Sequence, residues 1–496
     1  MKLKQRPEDF VVTESWRFDE DPSGQHYVYL MDKQKLTTFD AVDRICARFK
    51  IQHANVSYCG LKDKQGRTTQ LVAVRGRPIE LQDPDLRLKF LGRSATPLTA
   101  ANTTSNRFAV TVRDLSEEDL AKLSGSVAEV HRLGVVNYFD SQRFGALKHG
   151  QGFVAKEFLR GDFETALRNL IAHPSELDQS DDARVKGFWK EHWGEWERRN
   201  PFPGAEKYRR IIKYLSGHPD DWRGAILRTE PRWRALQVFA YQSWLWNEGA
   251  KAYLKDVVGI TRLVPVRYQV GVLLFPRELD SASADLLREK TFPLLAPDTT
   301  FSDEKVKRAA MAVMKRDDMT LASLVVPNTP EIHFDHEERP LFVMPGRLTV
   351  GAPQRDELNQ GRSRVNVAFT LPPGAYATLV VKRLFHWTLE PRNSSHRARR
   401  EAEVAEKATR RERAARGSEH GDTGFRAARK APLLTPDAAP GAKAAAEPVA
   451  PSTPEPAAAE PMGFRARQKA KKAARETARA AAAKKPSAKR RPARRR

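Results

Sequence analysis

The chain has 496 residues, 86 Lys and Arg against 62 Asp and Glu, and a formal net charge of +24. That length has room for two or three domains, and the positive excess makes a polyanion the natural partner. Two cysteines, Cys46 and Cys59, exclude a disulfide framework and fit a reducing compartment. The opening Met-Lys-Leu-Lys-Gln-Arg-Pro has no apolar signal region, and no apolar run approaches a membrane span. A soluble, cytoplasmic protein is the expectation. The charge is unevenly placed: residues 392–496 hold 28 Lys and Arg against 11 Asp and Glu, and the preceding part holds 58 against 51.

Residues 7–14 read as a short strand after a Pro-led turn, with Phe10 and Val12 on one face and Val11 and Thr13 on the other. Residues 24–31, with Tyr27, Val28, Tyr29 and Leu30, form a second. The pair Thr37-Thr38 offers an N-cap hydroxyl to a helix over residues 39–49. Its apolar positions Phe39, Val42, Ile45, Cys46 and Phe49 keep helical spacing and put Cys46 in the core. Next comes Tyr58-Cys-Gly-Leu-Lys-Asp-Lys-Gln-Gly-Arg-Thr-Thr-Gln70, a polar loop between the strand-like runs 55–59 and 71–74. Its single carboxylate, Asp63, sits among Lys62, Lys64 and Arg67, which favour its ionised form. Such a loop is either a solvated turn or a carboxylate placed to attack or guide a substrate. Residues 107–113 alternate, with Phe108, Val110 and Val112 on one face.

Residues 134–152 carry Asn137-Tyr-Phe-Asp-Ser-Gln-Arg143-Phe-Gly145 and end in Lys148-His-Gly-Gln-Gly152. Neither GxGxxG nor GxxxxGK[ST] occurs, so the nucleotide-phosphate motifs are absent. Arg143 is equally an ion-pair partner or an RNA contact. From residue 153 to about 340 the pattern turns helical. Seven of the nine tryptophans lie between Trp189 and Trp246, which suggests a separately packed unit and not stacking platforms for bases. The strongest helix spans 236–254, with Leu236, Phe239, Ala240, Ser243, Trp246 and Ala250 on one stripe; another starts at Ser302, with Asp303 and Glu304 in its first turn. Residues 339–343 and 365–371 look like strands returning to the first domain. Periodicity leaves 379–384 open between strand and helix start.

Beyond Glu390 the sequence is rich in Ala, Pro, Lys and Arg and poor in aromatics, so a disordered tail is expected. It holds a weak repeat, Gly424-Phe-Arg-Ala and Gly463-Phe-Arg-Ala, and a basic Ala-rich stretch over 469–483. Nonspecific RNA attachment by counterion release is the favoured role, against that of a mere solubilising tail. His333-Phe-Asp-His-Glu337 superficially resembles a ligand set, but it is neither HExxH nor HxxEH, and a metal site is not expected there. The two cysteines stand 13 positions apart without HxE…CxxC, which disfavours a zinc deaminase.

Several of these stretches together resemble the TruD family of tRNA pseudouridine synthases. Gly60-Leu-Lys-Asp-Lys64 with Thr68 and Gln70 is similar to that family's nucleophile loop. Pro7-Glu-Asp-Phe-Val-Val12 with Glu14 is similar to its N-terminal motif. Asn106-Arg-Phe108, Asn137-Tyr-Phe139 with Gln142-Arg-Phe-Gly145, and Gly374-Ala-Tyr-Ala-Thr378 match its later signatures in order, over residues 4–386. Three positions depart from the pattern: Ser105 for Gly, Tyr376 for Phe and Trp246 for Phe.

The resemblance implies a cofactor-free, metal-free isomerisation of uridine to pseudouridine in tRNA, at uridine 13 of the D arm. It makes Asp63 the catalytic carboxylate, Lys4 its partner, Phe10, Phe108 and Tyr376 the stacking surfaces, and Asn106 a hydrogen-bonding group for the uracil edge. Lys62, Lys64, Arg67 and Arg143 become candidate RNA contacts. The implied fold is α+β. Residues 1–152 and 341–390 would form a mixed-sheet catalytic domain, 153–340 an inserted helix-rich α/β domain, and 391–496 the tail. A monomer is expected. The rivals are a noncatalytic RNA-binding protein with a decayed site and a metal hydrolase.

Overall fold

The computed structural model describes residues 1–389, apart from Ala146, residues 148–151, Glu176, Leu177 and Ser302. The expectations for the tail, for Lys148-His-Gly-Gln151 and for a helix start at Ser302 lie outside the described residues. The rest forms one unit.

The N-terminal part builds β1 (Phe10–Trp16), β2 (His26–Gln34), α1 (Thr38–Phe49), β3 (Val56–Tyr58), β4 (Arg67–Arg75), β5 (Leu86–Ser94), β6 (Thr103–Leu115) and α2 (Glu117–Leu133). Much later the chain returns as strands Gly346–Val350 and Ser363–Leu371. The main sheet therefore runs Gly346–Val350, Ser363–Leu371, β6, β1, β4, β2, β5. β1 and β4 are parallel, while β6 is antiparallel to β1 and to Ser363–Leu371. The result is a mixed sheet in an α+β protein.

Register decides what the sheet displays. Phe369 lies opposite Phe108, Phe108 opposite Val12, Val12 opposite Thr68, and Thr68 opposite Lys33. Side chains directly opposite share a face, so these five stand in one row. The neighbouring row holds Leu371, Asn106 and Glu14, and Gln70 with Met31. Two hydrophobic clusters flank this face. At the β2–β5 edge, Tyr29, Met31, Val72, Val74, Leu86 and Leu88 pack with Ala41, Val42, Ile45 and Cys46 of α1. At the other edge, Phe10, Val12, Phe108, Val110 and Phe369 join the large core shared with α2 and the later helices. Between them lies a strip of buried polar groups, Glu14, Lys33, Thr68 and Gln70. Alternation continued at these positions, but with polar residues where a simple core would have apolar ones.

Local chemistry sets the elements. Thr37 caps α1: its hydroxyl accepts from the Asp40 N–H at 2.9 Å, and the Asp40 carboxylate accepts from the Thr37 N–H at 2.9 Å. The helix stops at Lys50, which is left-handed with φ 53°. Asp303 caps the helix Glu304–Arg316, accepting from the Lys305 and Val306 N–H groups at 2.8 and 3.2 Å.

Several sequence expectations are corrected here. The long helix spans Pro231–Val258, and Leu236 and Phe239 of the expected stripe are exposed, 40% and 41%. Its burial runs round most of the helix because it is central, so no single stripe defines it. Residues 339–343 do not join the main sheet: Glu337–Pro340 pairs with Thr291–Leu294, and Phe342–Val343 pairs with Val135–Val136. Residues 379–384, left open between strand and helix start by periodicity, belong to the helix Ala377–Leu384. Ser105, which departs from the family's Gly, is inside β6 opposite Ser15. The tryptophans do pack as interior groups: Trp189 and Trp196 are buried, and Trp193 stacks on Trp222 with centroids 5.5 Å apart. Among the described residues no helix is long and apolar enough to cross a membrane.

Candidate active site

Asp63 lies on the loop between β3 and β4, above the polar strip. Lys4 Nζ hydrogen-bonds its Oδ2, and both side chains are largely buried. The Gln65 N–H donates to Oδ1 at 3.0 Å. Lys33, buried in β2, donates to the Asp63 backbone carbonyl at 3.1 Å and to that of Leu36 at 2.7 Å. Burial pushes the Asp63 carboxyl up, but the bonds from Lys4 and Gln65 and the charges of Lys4 and Lys33 outweigh it, and its pKa ends below the ordinary value. Burial pulls Lys33 down to about 8, against the opposing pull of Asp63.

Lys4 is not a frayed terminus. Lys2 bridges to Arg113 through both backbone groups, at 2.8 and 3.0 Å. Arg113 is itself buried among Asp9, Asp356 and Glu357, at 2.8, 2.9 and 3.0 Å. Lys4 has φ 56°, the left-handed region that a non-glycine residue rarely occupies. The ammonium then reaches Asp63 and sits 4.3 Å from the centroid of Phe10.

The loop is held from below by the strip. Lys62 Nζ donates to Glu14 Oε1 at 2.5 Å, and Thr103 donates to the same oxygen at 3.0 Å; the Leu71 N–H donates to Oε2 at 2.9 Å. The Lys62 N–H donates to Thr38 Oγ1 at 2.9 Å, Thr38 donates to Gln70 at 3.0 Å, and Gln70 Nε2 donates to the Gly60 carbonyl at 2.9 Å. Gly66 closes the loop against Phe10: a Cβ there would lie 2.3 Å from the Phe10 carbonyl oxygen, so only glycine fits.

Thus the cations expected around Asp63 are largely engaged elsewhere. Lys62 serves Glu14, Lys64 faces Asp40 at 3.8 Å, and Arg67 forks onto Asp32 with bonds of 3.2 and 2.6 Å. The groups that set the charge state of Asp63 are Lys4 and Lys33. Sequence reading ended the second strand at Met31 and so missed Lys33; the alternation Tyr29, Met31, Lys33 was the available signal.

Phe10 and Phe108 meet edge to face, 6.2 Å between centroids, and Phe108 stacks on Phe369 at 5.5 Å. Both are mostly buried in the large core. Asn106 lies opposite Glu14, and its Oδ1 is enclosed without a hydrogen-bond donor. A second group gathers around Phe139. Tyr376, half-buried, meets that ring edge-on at 6.2 Å. Arg143 and Arg339 lie over it, at 5.2 and 4.2 Å. Arg339 donates to the Asn137 carbonyl at 2.9 Å, to Asn137 Oδ1 at 2.7 Å and to the Gly374 carbonyl at 3.1 Å. It thereby ties the segment at Asn137 to the turn that precedes Tyr376, a link that sequence reading did not contain.

The family model for tRNA pseudouridine synthase D (TruD) matches residues 1–384. The chain belongs to this family. A relative from Methanocaldococcus jannaschii named "Probable tRNA pseudouridine synthase D 2" is 32% identical over 393 residues, covering 78% of this chain and 92% of the relative. The tRNA pseudouridine synthase D of Aquifex aeolicus is 28% identical over 394 residues, covering 78% and 98%. A crystal structure of a TruD protein from Methanosarcina mazei superposes with a TM-score of 0.57 at 25% identity, covering 77% of this chain and 93% of that one. The mixed α/β architecture is therefore that of a TruD protein.

The acidic His333–Glu337 loop makes no converging set. His333 faces Asp335 at 3.5 Å, while His336 faces Thr299 at 3.2 Å and Glu338 at 3.5 Å. Among the described residues no group of three or more His, Cys, Asp or Glu is arranged to hold a metal ion.

Proposed function

We propose that the chain isomerises uridine to pseudouridine in tRNA, with Asp63 as the catalytic carboxylate. The reaction breaks the bond between N1 and C1′, turns the base and joins C5 to C1′, and the hydrogen on C5 is released. One observation carries the reading: in a TruD chain, Asp63 is a mostly buried carboxylate held ionised by Lys4 beside Phe10. An ionised, fixed carboxylate can attack C1′, attack the base or take a proton from C2′, and all three begin from this arrangement.

Phe10, Phe108 and Tyr376 offer flat surfaces to an extruded base, and the donor-free Oδ1 of Asn106 can accept from the uracil N3–H. RNA lies between the sheet-bearing part, residues 1–152 and 341–390, and the helix-bearing part, 153–340, which act as catalytic and inserted domains. Uridine 13 of the D arm is the target, no cofactor takes part, and the protein works as a cytoplasmic monomer with the tail adding nonspecific RNA affinity. Lys62, Lys64 and Arg67 are secondary to Asp63, since each has a carboxylate of its own.

The test is tritium release from C5-labelled uridine in tRNA, with pseudouridine mapping of total RNA in cells with and without the protein. Wild type should release tritium and Asp63→Asn should lose at least about a thousandfold in rate, roughly 4 kcal/mol. Near-normal release by Asp63→Asn sinks the assignment. Binding without release by wild type would favour a noncatalytic RNA-binding protein.

A further inference from the structure

We propose that Arg143 and Arg339 form a phosphodiester subsite, which grips the RNA backbone beside the base that stacks on Tyr376. The proposal rests on the RNA-modifying reading above and adds the ligand of a second cluster. Arg143 stands on the short turn Ser141–Phe144, with its guanidinium 5.2 Å from the centroid of Phe139 and 5.9 Å from that of Phe239. Its backbone N–H donates to the Asp140 carbonyl at 2.8 Å, but its guanidinium makes no hydrogen bond or ion pair with the described residues, and its Nε is enclosed without an acceptor. An enclosed donor without an acceptor is unfavourable by roughly 1–3 kcal/mol and marks a place where an acceptor is missing.

Arg339 is the second cation on the same ring. Its bonds go to neutral oxygens of Asn137 and Gly374, and no carboxylate pairs with it among the described residues. Burial pulls its pKa down to about 10; Tyr376 and Glu337 oppose that pull, while the charge of Arg143 adds to it, so the two guanidiniums repel each other. The nearest acid on this segment, Asp140, is already taken by Lys382 at 2.5 Å, by Thr378 and by the Ser141 N–H at 2.7 Å. Two positive charges thus lie against one aromatic ring, and among the described residues no carboxylate forms an ion pair with either. An arriving anion relieves that repulsion.

The surroundings choose the anion. Guanidinium forks match phosphate oxygens in pairs. Phe239 is 41% exposed and walls one side of Arg143, and Tyr376 meets Phe139 from another direction. Aromatic surfaces interleaved with cations suit a nucleotide, with phosphate on the arginines and base on a ring.

The experiment uses the full chain carrying Asp63→Asn, so that bound RNA is not turned over, and a tRNA assembled with one uncharged methylphosphonate linkage on either side of the target uridine. Arg143→Met in this background should weaken tRNA binding about tenfold and reduce the slope of log affinity against log salt by about one. Arg143→Lys should restore the slope. One methylphosphonate position should weaken the Arg143 chain and leave Arg143→Met unaffected. Phe239→Ala, at a position 41% exposed, should give a smaller loss with the slope retained. An unchanged slope in Arg143→Met, or methylphosphonate losses that simply add to it at both linkages, overturns the subsite. Tight binding of inorganic phosphate that RNA does not displace also overturns it, in favour of a free-anion site. If wild type fails to release tritium from tRNA at all, the underlying functional reading fails instead, whatever the salt slopes.

Discussion

The Asp63 loop and the Phe139 cluster treat charge in opposite ways. Around Asp63, Lys4, Lys62, Lys64 and Arg67 each have a carboxylate, and Lys33 is fixed by two backbone carbonyls. Around Phe139 two arginines have no carboxylate paired with them among the described residues. A site with internally matched charge is organised before substrate arrives, which is what a reacting group requires. A site with unmatched charge is completed by what binds. The difference teaches that the density of cations in a sequence says little about which of them meet RNA. In the loop that first draws attention, most of the cations are occupied by the protein itself.

The largest effect expected from breaking this contrast lies under the loop. Glu14 is fully buried and Lys62 nearly so. Glu14→Leu leaves a buried ammonium without its counter-ion and should destabilise the chain by about 3–5 kcal/mol. Urea unfolding of the full chain gives the number. Glu14→Leu with Lys62→Met removes both charges and should recover most of the loss, because an apolar pair of similar volume is often neutral or better. If the double variant is as unstable as the single one, the pair acts through the hydrogen bonds to Leu71 and Thr103 and not through charge matching.

Lys33 sharpens the comparison through pH. Its charge is present below about 8 and fades as pH rises through that value. The rate of tritium release should fall over the same range, as the bond to the Asp63 carbonyl loses its charge. Stability should move the other way. The folded pKa lies below that of the unfolded chain, so between about 8 and 10.5 the unfolded state binds more protons and folding becomes more favourable with pH. A falling rate with rising stability separates this effect from alkaline unfolding. Lys33→Met should lower the rate at pH 7 by about 10- to 100-fold through misplacement of the loop, and abolish the high-pH limb. A limb unchanged in Lys33→Met assigns it to another group. Asp63 should stay ionised to pH values below the ordinary carboxylate range, since its pKa is lowered.

Much of the sheet was legible because alternation is a strong local signal: Phe10 with Val12, and Phe108 with Val110 and Val112, fall on one face as their spacing required. The helix at Thr37 was legible from its cap. What spacing could not reveal was which long side chain reaches which acid. Lys62, Lys64 and Arg67 are neighbours of Asp63 in sequence, yet the strands that flank the loop carry them toward Glu14, Asp40 and Asp32. Lys33 and Lys4 come from 30 and 59 positions away. Leu236 and Phe239 were misread because a central helix is buried on several sides and its exposed residues interrupt the stripe. Arg339 carried no local signal, since its role depends on two segments, at Asn137 and Gly374, that lie far apart in the chain.

The smallest expected effect concerns Arg67, and it tests whether matched charge is truly withheld from RNA. Its fork onto Asp32 is a surface pair, with the side chains 50% and 28% exposed. Exposed pairs contribute about 0–1 kcal/mol, so Arg67→Ala should leave stability nearly unchanged. Since Asp32 already neutralises the guanidinium, its loss should change the salt slope of tRNA binding by much less than one, and the rate of tritium release by no more than about twofold. The same measurement made on Arg143→Met supplies the contrast. A full unit of slope lost in Arg67→Ala would mean that Arg67 leaves Asp32 for a phosphate when RNA binds. Internal pairing would then not distinguish the two regions, and the Asp63 loop would itself be part of the RNA-gripping surface.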